Sequence, residues 1–348
     1  MESSIHYNSR FKSQFKIGDY LIGQESPCFI VAEAGVSNFG SLEKAFQLVD
    51  SALNARADAV KFQFFNTEEL ISADCPEWIE RMKPKEMPIS FIKEINEYCK
   101  KKGILFFSTA HDLKSLYELA EMDMHCFKIG SGELQNPEFY RIAASFNKPL
   151  IVSTGMFLKE DILQVLNILS ASKNPEVAIM HCITNYPVPP KDANLKMIQS
   201  LKSIFPGPVG YSDHSATFDI PAASVLLGAN IIEKHITLEK NVANAQDWKV
   251  SCTPDEFVEF VASIRRIEDA LGDGEFRLTE GERKSIQWAR KSIVAARDLS
   301  RNDIIKKEDV LFKRPGTGIS PSKVEAVLGK RAKTFIKRDS VISEGTIF

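Results

Sequence analysis

Four things are missing from this sequence, and each absence removes a class of function. The six cysteines (Cys28, Cys75, Cys99, Cys126, Cys182, Cys252) never fall at Cys-x-x-Cys spacing. That speaks against a zinc ribbon or disulfide framework and suits reduced thiols, partly buried where Cys28, Cys126 and Cys182 adjoin strand-like runs. No apolar run approaches the roughly 20 residues needed to cross a bilayer. The polar start, Met1 to Lys16, also lacks an apolar signal core, so a cytoplasmic protein with no membrane partner is expected. With 44 Lys and Arg against 46 Asp and Glu, the formal net charge of -2 offers nucleic acid no global attraction. Any anion must therefore meet a local cluster. Finally, no Gly-x-Gly-x-x-Gly turn follows the first strand-like run, which disfavours the runner-up fold, an open doubly wound dinucleotide-binding sheet.

What is present is an alternation. After a short hairpin-like or lid-like stretch near 15–23, apolar runs rich in β-branched and aromatic residues recur at 28–33, 59–64, 104–108, 126–129, 149–153, 177–181, 208–211 and 231–235. Segments of helical periodicity lie between or after them at 41–54, 88–102, 112–121, 137–146, 159–170, 195–205, 220–227 and 254–271. Eight strand–helix units over about 250 residues predict an α/β fold, a closed (β/α)8 TIM barrel. The barrel is expected over 1–275 and a charged linker over 276–290. A small β-rich domain is expected over 291–348, where short β-branched runs alternate with turns.

A barrel gathers its chemistry where the strands end. Those ends carry Glu33; Lys61 and Gln63; Ser108 and Thr109; Lys128, Ser131 and Glu133; Ser153 and Thr154; Thr184, Asn185 and Tyr186; Ser212, Asp213 and His214; Lys234 and His235. His214 and His235 close neighbouring runs, so both imidazoles are expected at the same end of adjacent parallel strands, where they could share a divalent ion with open positions. The bland alternative is a pair of satisfied core histidines. Lys61 and Lys128, with hydroxyls and loop amides around them, suit a small polyanion. Glu133 sits in a glycine-loosened turn and could move protons. Glu33 is a second candidate for that work, or else the ion-pair partner of a barrel lysine. His125 and His181 read as packing residues or as supports behind the site, His6 as part of a tail, and His111 as a candidate substrate contact.

Seven ordered motifs carry a resemblance. They are Ala32-Glu33-Ala34-Gly35, Val60-Lys61-Phe62-Gln63, Lys128-Ile129-Gly130-Ser131-Gly132-Glu133, Ser153-Thr154-Gly155-Met156, Tyr211-Ser212-Asp213-His214, Glu233-Lys234-His235 and Lys313-Arg314-Pro315-Gly316-Thr317-Gly318. Together they resemble the sialic acid synthase family, from about Phe15 to the C-terminus. The resemblance implies condensation of phosphoenolpyruvate with N-acetylmannosamine or a related amino sugar, and a C-terminal antifreeze-like (SAF) domain. It further implies a domain-swapped homodimer in which that domain caps the partner's site.

Position by position, the resemblance assigns His214 and His235 to Mn2+ (or Mg2+ or Co2+) and Lys61 to the phosphoenolpyruvate carboxylate. Thr109, Lys128, Ser131, Ser153 and Ser212 would surround its phosphate, with Thr184 a further substrate contact. Gln63, Tyr186 and Asp247 would line the sugar pocket, Arg314 would reach across to the acylamino group, and Glu133 would transfer the proton. The implied chemistry is attack by C3 of the enol pyruvate on a polarised open-chain aldehyde, water addition at C2, and loss of phosphate by C–O cleavage. The chain departs from the family at Ser37-Asn38-Phe39-Gly40, Ser108-Thr109-Ala110-His111 and Gln246-Asp247-Trp248, loops expected near the sugar. Two rivals remain: a Schiff-base aldolase using Lys61, Lys128 or Lys234, and an inactive carbohydrate- or ice-binding protein.

Overall fold

A computed structural model describes residues 10–24, 26–173, 175–243 and 245–348, which divide into two units, 10–272 and 273–348; His6 lies outside the described residues. The first unit opens with an antiparallel hairpin, β1 (Phe15–Ile17) and β2 (Tyr20–Ile22). Phe15, Ile17 and Ile22 are buried in the main core. The hairpin's turn at Gly18 packs against Leu105 and His125, where the third and fourth barrel strands begin. It therefore closes the N-terminal end of the barrel and does not form a lid over the mouth.

Eight parallel strands follow: β3 (Phe29–Gly35), β4 (Ala59–Phe64), β5 (Leu105–Ala110), β6 (Phe127–Ile129), β7 (Leu150–Ser153), β8 (Val177–Cys182), β9 (Val209–Asp213) and β10 (Ile231–His235). They pair in sequence and close where β10 meets β3, His235 standing opposite Glu33. Most are buried along their whole length, as strands are that carry helices on one face and a barrel interior on the other.

The helices are α1 (Leu42–Asn54), α2 (Thr67–Leu70), α3 (Pro76–Met82), α4 (Ile89–Lys102), α5 (Leu113–Ala120), α6 (Pro137–Ser145), α7 (Lys159–Ser170), α8 (Met197–Ile204), α9 (Asp219–Leu226) and α10 (Pro254–Leu271). Their limits follow from local chemistry. In α1, Ser41 accepts from the Lys44 amide, and Ala45, Leu48, Val49 and Ala52 form the buried stripe at helical spacing. Thr253 and Glu256 make a reciprocal capping box on α10, with Pro254 in its first turn. Gly103 ends α4 in the left-handed conformation. The sequence periodicity predicts no element between the second strand and Pro88. The structure shows an excursion there, α2 and α3 followed by a single 3-10 turn at Lys83–Lys85.

The second unit contains α11 (Glu280–Ala289), the antiparallel pair β11 (Ser292–Ala295) and β12 (Val310–Lys313), and α12 (Val324–Val327). Its own core includes Ile293, Leu299, Ile305, Ile336 and Ile342. The stretch expected as a plain linker thus holds a helix. Among the described residues all six cysteines are free, and no helix is long and apolar enough to cross a membrane.

Candidate active site

Alternation along the strands selects the site. Side chains two apart share a face, so Glu33 on β3, Lys61 and Gln63 on β4, Thr109 on β5, Lys128 on β6, Ser153 on β7, Cys182 on β8, Ser212 on β9, and Glu233 and His235 on β10 all turn into the barrel mouth. Registry aligns them laterally: Glu33 stands opposite Lys61, Gln63 opposite Thr109, Thr109 opposite Lys128, and Cys182 opposite Ser212, itself opposite Glu233. The same alternation corrects one expectation. Asp213 and Lys234 turn away from the mouth, where the Lys234 ammonium lies 2.6 Å from Asp213 and donates to the carbonyl of Ser215. That lysine is structural, and the aldolase reading loses it as a nucleophile.

The centre of the mouth is a buried ionic cluster. Lys61 lies 2.7 Å from Glu33 and 3.5 Å from Glu233, and donates to Thr109 at 2.9 Å. Lys128 lies 3.6 Å from Glu233 and donates to Ser153 at 2.7 Å. Burial opposes the charge on Lys61, but Glu233 and Glu33 outweigh it and hold the ammonium above the ordinary lysine range. For Lys128 burial wins and the value falls. Burial would raise Glu233, yet Lys128 and Lys61 keep it well below the usual glutamate range. Sequence reading gave Glu233 no role. The available signal was its place two residues before His235, which puts both on one face.

The histidines meet as expected. Their rings are 5.4 Å apart on neighbouring strand ends, both nearly sealed from solvent. His214 Nδ1 lies 2.7 Å from the carbonyl of Ile183, so it carries the proton and Nε2 presents the lone pair, here accepting from the Tyr186 hydroxyl at 2.9 Å. Tyr186 stacks on His214 and meets His235 edge-on. Burial, and then His235, push His214 down to about 3, so the imidazole is neutral, the form that ligates a metal. Among the described residues His235 Nδ1 is buried without a hydrogen-bond partner, as is Glu233 Oε2. Orphaned atoms of this kind suit a centre built for a guest. Among the described residues no group of three or more His, Cys, Asp or Glu is arranged to hold a metal. The two imidazoles fit an ion that leaves most positions to water and substrate.

The remaining predicted residues divide. Ser131 accepts from the Gly155 amide at 2.9 Å, Ser212 donates to Glu233 at 3.1 Å, and the Cys182 thiol lies 3.7 Å from His214 Nδ1. Cys182, to which the sequence assigns no part in the site, therefore lies against the His214 imidazole. Gln63 donates to Glu33 at 2.8 Å. Asp247 lies nearby: a Cβ on Gly35 would stand 3.3 Å from Glu33 Oε1, 3.5 Å from Gln63 Nε2 and 3.6 Å from Asp247 Oδ2. Gly35 has a positive φ at the irregularity that ends β3, so both conformation and space favour glycine.

Glu133 is buried but bonded to Asn136 at 2.7 Å; burial raises it and Asp112 adds to the rise, so it stands apart from the lysine cluster. Thr184 is exposed beside Gly155. His111 is half-buried beside Gly130, and burial, then Lys61 and Lys128, lower it to about 4. His181 is a packing residue, bonded to the carbonyl of Ala193, and His125 is exposed. Arg314 belongs to the second unit, its guanidinium 5.9 Å from the Trp288 ring.

The family model described as the NeuB family matches residues 48–276, and the SAF domain model matches 290–347. The chain belongs to the NeuB family. It is 38% identical over 330 residues to the N,N'-diacetyllegionaminic acid synthase of Campylobacter jejuni, covering 90% of this chain and 98% of that one. It is 34% identical over 343 residues to the pseudaminic acid synthase of the same organism, covering 95% and 99%. The crystal structure of the N-acetylneuraminic acid synthetase of Leptospira borgpetersenii, in complex with citrate, superposes with a TM-score of 0.74 at 35% identity over 80% of this chain and 97% of that one. This NeuB-family chain is therefore an enzyme of the sialic (nonulosonic) acid synthase type, a closed barrel followed by a SAF domain. The inactive binding-protein rival has no use for the ionic cluster and paired imidazoles found here.

Proposed function

We propose that this enzyme condenses phosphoenolpyruvate with an open-chain 2-acetamido sugar to give a nonulosonic acid and phosphate, with a divalent ion, Mn2+ or alternatively Mg2+ or Co2+, on His214 and His235. N-acetylneuraminate is the simplest product; legionaminic or pseudaminic acid, from a diacetamido acceptor, are the alternatives. The observation that carries this reading is the convergence of Lys61 and Lys128 with the two imidazoles around Glu233, where two buried polar atoms have no hydrogen bond among the described residues.

When bound, the ion supplies Lewis-acid polarisation of an oxygen on the acceptor. The chain's own residues do the rest. Lys61 meets the enol pyruvate carboxylate, while Thr109, Lys128, Ser153, Ser131 and Ser212 hold the phosphate. Glu33 and Glu233 keep Lys61 extended and charged before substrate arrives, and Glu233 and Ser153 hold Lys128 in place, so little reorganisation remains for the reacting state. Gln63, Tyr186, Thr184 and Asp247 orient the acceptor. Glu133, its carboxyl raised by burial, suits proton transfer. The SAF domain caps the partner subunit's site in a cytoplasmic homodimer, bringing Arg314 to the acylamino group.

The test is phosphate release from phosphoenolpyruvate across a panel of 2-acetamido sugars and their 6-phosphates, with and without Mn2+. Turnover with at least one acceptor, abolished by chelator and restored by the ion, is expected. Silence across the panel from folded, metal-loaded protein sinks the reading. Borohydride trapping of pyruvate on Lys61 or Lys128 would revive the aldolase.

A further inference from the structure

Each ammonium in the mouth is already answered by a carboxylate. Glu33 and Glu233 face Lys61 at 2.7 and 3.5 Å, and Glu233 faces Lys128 at 3.6 Å. Even with both lysines charged, these four groups sum to zero. A phosphate brings about −1.5 to −2 at pH 7, and the carboxylate of an enol phosphate adds another negative charge. The cluster therefore positions such a ligand without neutralising it, and a further cation beside the lysines would strengthen the hold. One uncommitted titratable ring stands there.

His111 follows β5, two residues beyond Thr109, and its amide donates to the carbonyl of Phe64 at 3.2 Å. Gly130 opens its place. By alternation Gly130 continues the inward face that carries Lys128. A Cβ there would stand 3.4 Å from His111 Cε1, 3.8 Å from its Nδ1 and 3.6 Å from the Thr109 methyl, so a larger residue would push into the ring. Phe65 meets the imidazole edge-on, ring centres 6.4 Å apart. Neither ring nitrogen makes a hydrogen bond among the described residues. The adjoining carboxylate is committed elsewhere: Asp112 accepts from the amides of Asn66 and Ser115 and from the Ser115 hydroxyl, at 2.8, 2.7 and 2.7 Å. The charged groups that act on the ring are Lys61, Lys128 and Asp112; burial first, and then the two lysines, keep it neutral at rest.

We propose that His111 is a further binding residue for phosphoenolpyruvate, taking up a proton as the enol phosphate arrives and donating to its phosphate from the place that Gly130 leaves open. The ligand's negative charge cancels the repulsion from Lys61 and Lys128 that keeps the ring neutral, so binding and protonation favour each other. The imidazolium then supplies, through a charge-assisted hydrogen bond, the cation that the balanced cluster lacks. Its neighbours Thr109 and Gly130, the latter between Lys128 and Ser131, put it on the side assigned above to the phosphate and not to the sugar. His111 falls in one of the stretches where the chain departs from its family, Ser108-Thr109-Ala110-His111, so the role is this chain's own.

The proposal rests on the synthase reading above. Phosphoenolpyruvate is titrated calorimetrically into full-length, Mn2+-loaded protein at about pH 7, in buffers of different ionisation enthalpy, for wild type, His111→Gln and His111→Phe. Comparing buffers gives the protons taken up on binding. Wild type is expected to take up about half a proton or more beyond either variant. In His111→Phe the Kd rises about ten- to a hundredfold, the range for a lost charged hydrogen bond. His111→Gln, which keeps an uncharged donor, loses less affinity but shows the same missing proton. A ring that merely packed would change neither quantity. Equal proton uptake in wild type and His111→Gln, or a Kd unchanged in both variants, overturns the role, and phosphate release by wild type then leaves the synthase intact. A wild type that neither binds phosphoenolpyruvate nor releases phosphate overturns the synthase reading itself, and this role with it.

Discussion

Strand β10 carries two buried ionic systems on its two faces. On the outer face Lys234 is fully served, by Asp213 at 2.6 Å and by the carbonyls of Ser215 and Thr217 at 2.7 and 3.3 Å. On the inner face Glu233 holds two ammonium groups at 3.5 and 3.6 Å, beyond good hydrogen-bond reach, and leaves one oxygen without a donor, while His235 leaves a ring nitrogen without a partner. Both clusters are equally hidden from water. Exposure does not separate structure from function here; completeness does. A buried charge whose every valence is met stabilises one conformation, whereas one with valences left over is built to receive something.

That contrast can be broken by mutation. The largest effect is expected at His235→Ala, which should lower turnover by more than about a hundredfold with circular dichroism and unfolding midpoint near wild type; a mutant that keeps activity would remove His235 from the inner cluster's work. Glu233→Gln should cost roughly ten- to a hundredfold in kcat/KM, the range for a lost charged hydrogen bond, and unchanged kinetics would make it as structural as Asp213. On the outer face the pattern inverts. Asp213→Ala strands the Lys234 ammonium and should cost about 3–5 kcal/mol in urea unfolding, while the folded enzyme keeps both KM values within twofold. Smallest is Arg314→Ala, which should raise the acceptor KM about tenfold and leave that for phosphoenolpyruvate unaltered. Full activity in a barrel ending near Gly274 would dispose of any part for the SAF domain in the site.

Much of this was legible beforehand, and the reason is periodicity. Each strand is a short buried run followed by a helical segment, so the eightfold alternation predicts a closed barrel. The same runs end in the residues that gather at its mouth. The errors were of face and of excursion. Position along the chain groups Asp213 and Lys234 with Ser212, His214 and His235, since all five lie at strand ends, although alternation sends two of them outward. Lys85 drew no attention because the chain from 65 to 87 lacks a strong apolar period, and nothing local marks a lysine for burial.

The sequence alone determined the fold class, the end of the barrel that carries chemistry, and the pairing of the two histidines, since all three depend on spacing along one chain. Only tertiary structure decided that Glu233 sits between Lys61 and Lys128, that Cys182 lies beside His214, and that Lys85 lines a recess beside Asp247. Those facts depend on distances between segments far apart in the chain, and they arise when packing fixes which side chains share the space that water has left.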